Sequence, residues 1–591
     1  MKLPSLSHLA TQATRTMLRF PFETAAAITG TVSAILMIRQ RYPDDYPFSN
    51  WVLTAALGLV MFLSASLCCE RFRINGIRKW GIQLVIAGLL AAYYCSLRPD
   101  ISSAQTIRHF VLLASFHLLI SFVAVIPPLS INTFWQFNKS MFLRFLTTAL
   151  YSMVLFAGLA GALAAIDNLF GIHIKSDYYG WLFVIIAGIF NTLFFLSGIP
   201  RQEEIAAEDT SYPKGLRVFT QFVLIPIICI YLVILAAYEI KIVATLNLPY
   251  GWVSYLILWY AIAGILCTLL VYPLRNDEEH TWIRTFSKWF YITLVPLVAL
   301  LFWAILYRIS RYGITEERYY VVALAIWLTV IVGYFLISRA NNIRIIPVTL
   351  CVAGLISAYG PLSASFLSER SQRSRFETLV ERSRTDTLSA EERSQMVSIL
   401  EHMLPNYGVQ SLNSVLNHRY DTVDMSGINY WQYKDSIMLY LQVPEIPEFE
   451  EQEQRTYDLA SPYMINISGY QYYFETYYTD TTYHATELNQ LGGVNEPIIW
   501  KRNDSGIGIK IGNEKIKINP AEQYKKLRIT DFGSPYAYTT YSGIEKMTQR
   551  AETSTHKIDV VYSSLEGEVK IDQDTTYTVT RFVARVFIGR K

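Results

Sequence analysis

Eleven runs of mostly apolar residues crowd the first 367 positions and leave this chain few ways to fold. They fall at 20–38, 50–69, 80–96, 107–127, 142–166, 179–199, 219–238, 252–273, 290–309, 319–338 and 345–366. A hydrocarbon layer about 30 Å thick takes roughly twenty helical residues to cross. Inside it no water is at hand to bond an open backbone, so each run must form a helix. After residue 367 no such run occurs. The expected fold class is a polytopic α-helical membrane domain of about eleven transmembrane helices, followed by a mainly β (α+β) soluble C-terminal domain. The bilayer is the first partner implied.

Charge divides the chain at the same place. Residues 1–367 hold 26 of the 51 Lys/Arg and 17 of the 48 Asp/Glu, a net of +9; residues 368–591 carry a net of −6. An acidic soluble part lacks the clustered positive charge that phosphate binding needs, so nucleic acid is excluded as a partner. All six cysteines lie in or beside apolar runs, with no metal-ligand spacing, and neither a metal nor a cofactor is expected. The stretch Phe20 to Ile38 is too long for a signal-peptide core and ends on Arg39 and Arg41, so it reads as a first span. With the N-terminus in the cytoplasm, loops on that side hold 17 Lys/Arg and the opposite loops 9. The positive-inside rule then places the C-terminal domain outside the cytoplasm.

The expected domains are a multi-span domain over 1–367, a helical stalk over 368–414 and an extracytoplasmic β-rich domain over 415–591. Leu379, Met396, Ile399, Leu400 and Met403 recur at helical intervals in the stalk. Farther on, Ile507, Ile509 and Ile511 alternate with small or polar residues and face Lys515 to Ile518 across Gly512-Asn513-Glu514, the mark of a hairpin. Lys557–Tyr562, Glu568–Asp572 and Tyr577–Ile588 read as further strands. Tyr470, Tyr472, Tyr473, Phe474, Tyr477 and Tyr478 suit a half-buried sheet; an exposed row of them would serve envelope proteins or glycans as partners.

Candidate site residues are few. Ionisable groups near mid-membrane usually mark an ion path; here Glu23, Asp167 and Glu239 sit near span ends, and His117 and Asn191 are the central polar groups. A neutral His117 joining two helices by a hydrogen bond is favoured over proton handling. Trp135 and Lys139 suit a membrane interface. Ala157-Gly158-Leu159-Ala160-Gly161-Ala162 suits close helix packing, and Pro226 and Pro296 suit kinks. Asp44 and Asp45 follow the first span. The overall plan resembles multi-span membrane glycosyltransferases, which implies a catalytic or metal-binding role for such a pair, against a plain solvated turn. The segment Tyr312 to Tyr319 spells a helix end and a helix start: Gly313 for the left-handed closing position, Thr315 for the N-cap, Glu316 and Glu317 for the first turn. Gly313 and Thr315 are thus the residues of a structural clasp, with Arg308 or Arg311 expected to pair with Glu316. As a ligand-binding loop it would use Arg308, Glu316 and Arg318.

Phe134-Trp135-Gln136-Phe137-Asn138, Leu248-Pro249-Tyr250-Gly251-Trp252, Tyr312-Gly313-Ile314-Thr315-Glu316-Glu317-Arg318-Tyr319 and Ile465-Asn466-Ile467-Ser468-Gly469-Tyr470 together resemble a bacterial multi-pass membrane family, domain of unknown function 4153. The Tyr- and Thr-rich tail is similar to that of a Bacteroidetes-type member, which implies an inner membrane. The resemblance implies no catalytic residue. The expected function is a non-enzymatic envelope component for binding, sensing or assembly, or a transporter of an uncharged or lipidic solute. The alternative is a glycosyl- or lipid-transferase using Asp44 and Asp45.

Overall fold

A computed structural model describes residues 6–591 except 41–47, 127–128, 207–211, 246–251, 277–280, 339–341, 387, 417–429, 442, 444–452, 460–464, 466–467, 480–481, 486–496, 501–505, 512–513, 531–538 and 572–574. The chain divides into two compact units, Met1–Val443 and Pro444–Lys591.

The first unit is helical. Its apolar part comprises α1 (Leu6–Arg19), α2 (Pro21–Arg39), α3 (Phe48–Arg71), α4 (Ile77–Ser96), α5 (Ser103–Val123), α6 (Ile131–Phe170), α7 (Ser176–Ser197), α8 (Lys214–Thr245), α9 (Trp252–Leu270), α10 (Thr281–Tyr312), α11 (Glu316–Ile337) and α12 (Ile345–Ala358). Among the described residues nine of these, α2, α3 and α5 to α11, are long and apolar enough to cross a membrane. The other two expected runs form α4, 20 residues long but with Arg78, Lys79 and Gln83 near its start, and α12, with 14 residues. Local chemistry sets several ends. Ser102 and Gln105 exchange side-chain and backbone bonds as a capping box ahead of α5. Ser130 caps α6, and Gly171 at φ +63 closes it. A wide π turn at Thr220–Leu224 in α8 immediately precedes Ile225-Pro226, where proline withholds an amide from the ladder.

These helices pack around two apolar cores. Leu57, Leu63, Leu112 and Phe137 belong to the first, from α3, α5 and α6. Ile257, Phe290, Leu301 and Ile331 belong to the second, from α9 to α11. The Phe134-Trp135-Gln136-Phe137-Asn138 motif joins them, and this corrects its reading as a membrane anchor. Phe134, Trp135 and Phe137 are buried. The Trp135 indole donates to the Leu269 carbonyl at 2.8 Å and stacks on Tyr212, whose hydroxyl donates to Leu270. Trp135 needs a partner for its N–H once buried, and the end of α9 supplies one.

A second correction concerns Ala157 to Ala162. This stretch lies on the exposed half of α6, and a Cβ at Gly158 or Gly161 would meet nothing within 4 Å. Forty residues of helix run to about 60 Å, roughly twice the hydrocarbon thickness, and α7 runs back beside its far half, with Phe183 against Phe156 and Asn191 bonded to Ser152. Small residues admit close contacts elsewhere. Gly264 lies against the Phe290 ring and Gly188 against Thr31, where added methyl groups would clash.

Beyond α12, the polar helices α13 (Ala364–Thr385) and α14 (Ala390–Tyr407) form a hairpin, with α15 (Tyr430–Tyr440) behind it. Phe376, Leu379, Met396, Leu400, Met403 and Ile437 make its core. A capping box between Ser389 and Glu392 starts α14. The region expected as a stalk is therefore a small helical bundle with an interior of its own, inside the first unit.

The second unit is built on a long hairpin, β9 (His556–Ile571) and β10 (Thr575–Arg590). The two strands expected over 557–572 fall on one continuous strand that runs to Ile571. β2 (Tyr472–Thr479) and β3 (Thr482–Ala485) extend the sheet beside β10; β1 (Glu453–Leu459) and β7 (Thr539–Ser542) extend it beside β9, which also pairs with β8 (Thr548–Glu552). A separate three-stranded sheet holds β4 (Pro497–Trp500), β5 (Ile507–Ile511) and β6 (Glu514–Ile518), with Ile507 opposite Ile518 as the hairpin pattern requires. α16 (Pro520–Thr530) packs Tyr524 on the sheet, where its hydroxyl donates to Gly567 at 2.7 Å. Tyr457, Tyr562 and Phe582 are fully buried. Of the aromatic row, Phe474 is buried, Tyr470 is half-buried and donates to Asp559 at 2.6 Å, and Tyr473 is exposed.

Residues 444–591, expressed alone, should give a strand-dominated circular dichroism spectrum, and Phe582→Ala should destabilise that unit by about 3–5 kcal/mol in urea titration. A helical spectrum would contradict the sheet.

Candidate functional site

A dense polar assembly on the first unit surrounds the turn from α10 to α11. A helix leaves its last four carbonyls without partners along the helix, and these bond to side chains or to water. Here they find side chains. Gln372 on α13, itself buried, donates through Nε2 to the carbonyls of Tyr312 (3.1 Å) and Ile314 (2.9 Å). Arg318 on α11 reaches back to Tyr312 (3.1 Å) and Gly313 (2.9 Å). Arg375 on α13 donates to the carbonyls of Ser310 (3.4 Å) and Arg311. The Ile314 amide donates to Ser371 Oγ at 3.0 Å. Gly313 has φ +73, and a Cβ there would press on the Arg375 and Gln372 side chains, so backbone conformation and space both call for glycine.

Glu316, the first residue of α11, is buried. One carboxylate oxygen accepts the Tyr407 hydroxyl. The other lies 3.2 Å from His402 Nε2, which is also 3.1 Å from Ser368 Oγ. Serving the carboxylate requires the proton on Nε2. Burial, and then the Glu316 charge beside it, push the Tyr407 hydroxyl far above the usual tyrosine range, so it remains a donor. The end of α14 is tied down further: Asn406 Oδ1 accepts the Ala104 amide at 2.9 Å, and Arg98 donates to the Pro405 carbonyl at 3.4 Å. A buried carboxylate is costly unless bonded, and α14 supplies the bonds.

The sequence-derived candidates distribute as follows. Gly313, Glu316 and Arg318 meet at this turn. Thr315 occupies the N-cap position with φ −119 and ψ 168, yet its side chain makes no capping bond. Arg308 and Arg311 do not reach Glu316; Arg311 lies over the Tyr307 ring at 5.3 Å, while Tyr407 and His402 occupy the carboxylate. His117 is exposed and bonds the Leu113 carbonyl of its own helix at 2.7 Å, so it joins no second helix. Asn191 does, accepting from Ser152 of α6 at 3.0 Å just after the π turn Ile186–Phe190. Asp44 and Asp45 lie outside the described residues. Among the described residues no three His, Cys, Asp or Glu gather as metal ligands. Sequence reasoning missed Ser368, Gln372, Arg375, His402 and Tyr407. A buried glutamine in an otherwise polar helix has no sequence signature when its partners are backbone carbonyls.

In detergent, Gly313→Val should lower the melting temperature most. Tyr407→Phe should cost about 1.5–3 kcal/mol, the range for hydrogen bonds to a charged group. Thr315→Ala should cost less than about 0.5 kcal/mol, since no capping bond is lost. A Thr315→Ala loss as large as that of Tyr407→Phe would show that this account of the turn is wrong.

Comparison of this chain with known proteins gives a family described without a function and an uncharacterized relative. No solved structure matches it. The chain is 27% identical over 348 residues to uncharacterized protein PM1469 of Pasteurella multocida (strain Pm70), a match covering 57% of this chain and 56% of that relative. Only a little over half of the relative's length is thus spanned. The family described as domain of unknown function (DUF4153) matches residues 26–399, a stretch that runs from α2 through the α10–α11 turn into α14. The chain belongs to this family.

Proposed function

We propose that this protein is a non-enzymatic component of a bacterial inner membrane, with its N-terminus in the cytoplasm and its β-rich unit outside, that binds, senses or assembles envelope partners. The observation that supports this most is the α10–α11 turn. Carbonyls at the end of α10 and the carboxylate that opens α11 are held by side chains from α11, α13 and α14. The α13–α14 bundle therefore cannot shift without pulling on two membrane helices, which is the mechanical link a sensor or assembly platform needs. Tyr473 on the β-rich unit, exposed beside the Glu475–Arg585 ion pair, offers a surface for an envelope protein or glycan. Passage of an uncharged or lipidic solute between the membrane helices is compatible with the same scaffold.

Reporter fusions after Arg339 should report the cytoplasm, and fusions after Ser368 the outside. The same compartment for both would remove α12 from the spanning set and reverse the side of the β-rich unit. In a deletion strain with a scorable envelope phenotype, the Asp44→Asn, Asp45→Asn double variant should complement, and Gly313→Val should fail to. The opposite pattern would favour a transferase using the acidic pair.

A further inference from the structure

A groove of about 480 Å³ opens beneath the turn between α3 and α4, lined by Ile74 of the turn and by Arg78, Gly81, Ile82, Val85 and Ile86 of α4. That volume falls within the roughly 300–1,000 Å³ of ordinary ligand clefts. On α4 the lining positions recur at helical intervals, so they form one stripe, about 12 Å long from Arg78 to Ile86. Gly81 leaves room in it. A Cβ there would meet nothing within 4 Å, so the absent side chain opens space rather than admitting a neighbouring helix. Apart from Arg78, every lining residue is apolar or glycine.

The polar end of this stripe is cationic and lacks a counter-charge. Arg73 and Arg78 are exposed, and among the described residues neither has a hydrogen-bond or ion-pair partner. Arg71 is engaged, its Nη2 donating to the Ile126 carbonyl at 2.9 Å. Glu70, at the end of α3, is held through both oxygens by Arg19, at 2.9 and 2.8 Å. Local preferences oppose such cations here. Arg78 and Lys79 stand in the first turn of α4, where the helix dipole favours acids and none is present. Arg73 has φ +52, a left-handed value that few side chains take readily. Beside these cations Phe72, Ile77 and Trp80 are each more than half exposed. Rings and cations occur together in the headgroup layer of a bilayer, which suits them better than water. Farther along α4, Leu84, Val85 and Leu89 are exposed too, as suits hydrocarbon.

We propose that this groove binds an anionic phospholipid, with its phosphate on Arg78, near Arg73, and one acyl chain along Gly81, Ile82 and Val85. The occupant has to be amphiphilic, because one charged end continues into an apolar trough. Its phosphate supplies the negative charge that the start of α4 lacks, and a guanidinium can bond two phosphate oxygens at once. A zwitterionic headgroup brings its own cation toward Arg73 and Arg78 and gains less. Free phosphate would meet the cations and leave the trough empty.

The test titrates the full chain, stripped of lipid in detergent, with phosphatidylglycerol or phosphatidylcholine and counts adducts by native mass spectrometry. The first phosphatidylglycerol should bind more tightly than the first phosphatidylcholine. Arg78→Gln should weaken that first step roughly fivefold, the share of one cation near an anionic headgroup, and leave phosphatidylcholine unchanged. Gly81→Leu should weaken it at least as much by filling the trough. Since a Cβ at Gly81 meets nothing and leucine favours helix, this variant should keep the wild-type circular dichroism spectrum. Arg78→Gln decides alone should the leucine variant misfold. Lys288→Gln, at an exposed cation near the start of α10, should leave the first step as it is. Glycerol phosphate, a head without chains, should not compete even in large excess. Equal affinity for the two lipids, competition by glycerol phosphate, or a loss for Lys288→Gln as large as for Arg78→Gln overturns the proposal.

Discussion

Where a helix ends, its last carbonyls and the first amides of the next helix have no partner along the chain and must be bonded by side chains or water. The turn between α10 and α11 meets this constraint with side chains from the polar bundle and from the start of α11 itself. Gln372, Arg375 and Arg318 take the carbonyls, and Tyr407 and His402 take the carboxylate that begins the next helix. The polar bundle α13–α14 is held to the membrane helices by the same bonds that complete α10 and α11. The local problem of ending a helix and the larger problem of docking a bundle share one solution.

Elsewhere the membrane part relies on shape. Apolar side chains gain nothing from leaving lipid for one another, so close contacts and a few shared polar groups decide which helices associate. Gly264 against Phe290 and Gly188 against Thr31 are such contacts. Trp135 links the two cores with one indole bond to the end of α9. Glu316 is enclosed with its donors in place.

Much of the fold was legible in the amino-acid order because its causes are local. Twenty-residue apolar runs can only be helices in a bilayer, and alternation over 507–518 can only bury one face as strands. Gly313 announced a left-handed residue, and the structure has it at φ +73. Thr315 was legible as a boundary but misleading as a bond, since position in the chain does not say where a hydroxyl points. Trp135 looked like an interfacial anchor because an indole suits both that place and a buried joint, and only the location of Leu269 separates them.

What the sequence determined by itself was the kind of structure: a basic membrane half, an acidic β-rich part, and a helix-to-helix turn at Tyr312 to Tyr319. These follow from composition, period and the backbone preferences of single residues. Only the tertiary structure decided that Glu316 meets His402 and Tyr407, that the supposed stalk is a folded bundle, and that Ala157 to Ala162 faces outward. Each of these joins residues from separate helices. Their identity is written along the chain, but their proximity depends on how whole helices pack, and no local preference encodes that.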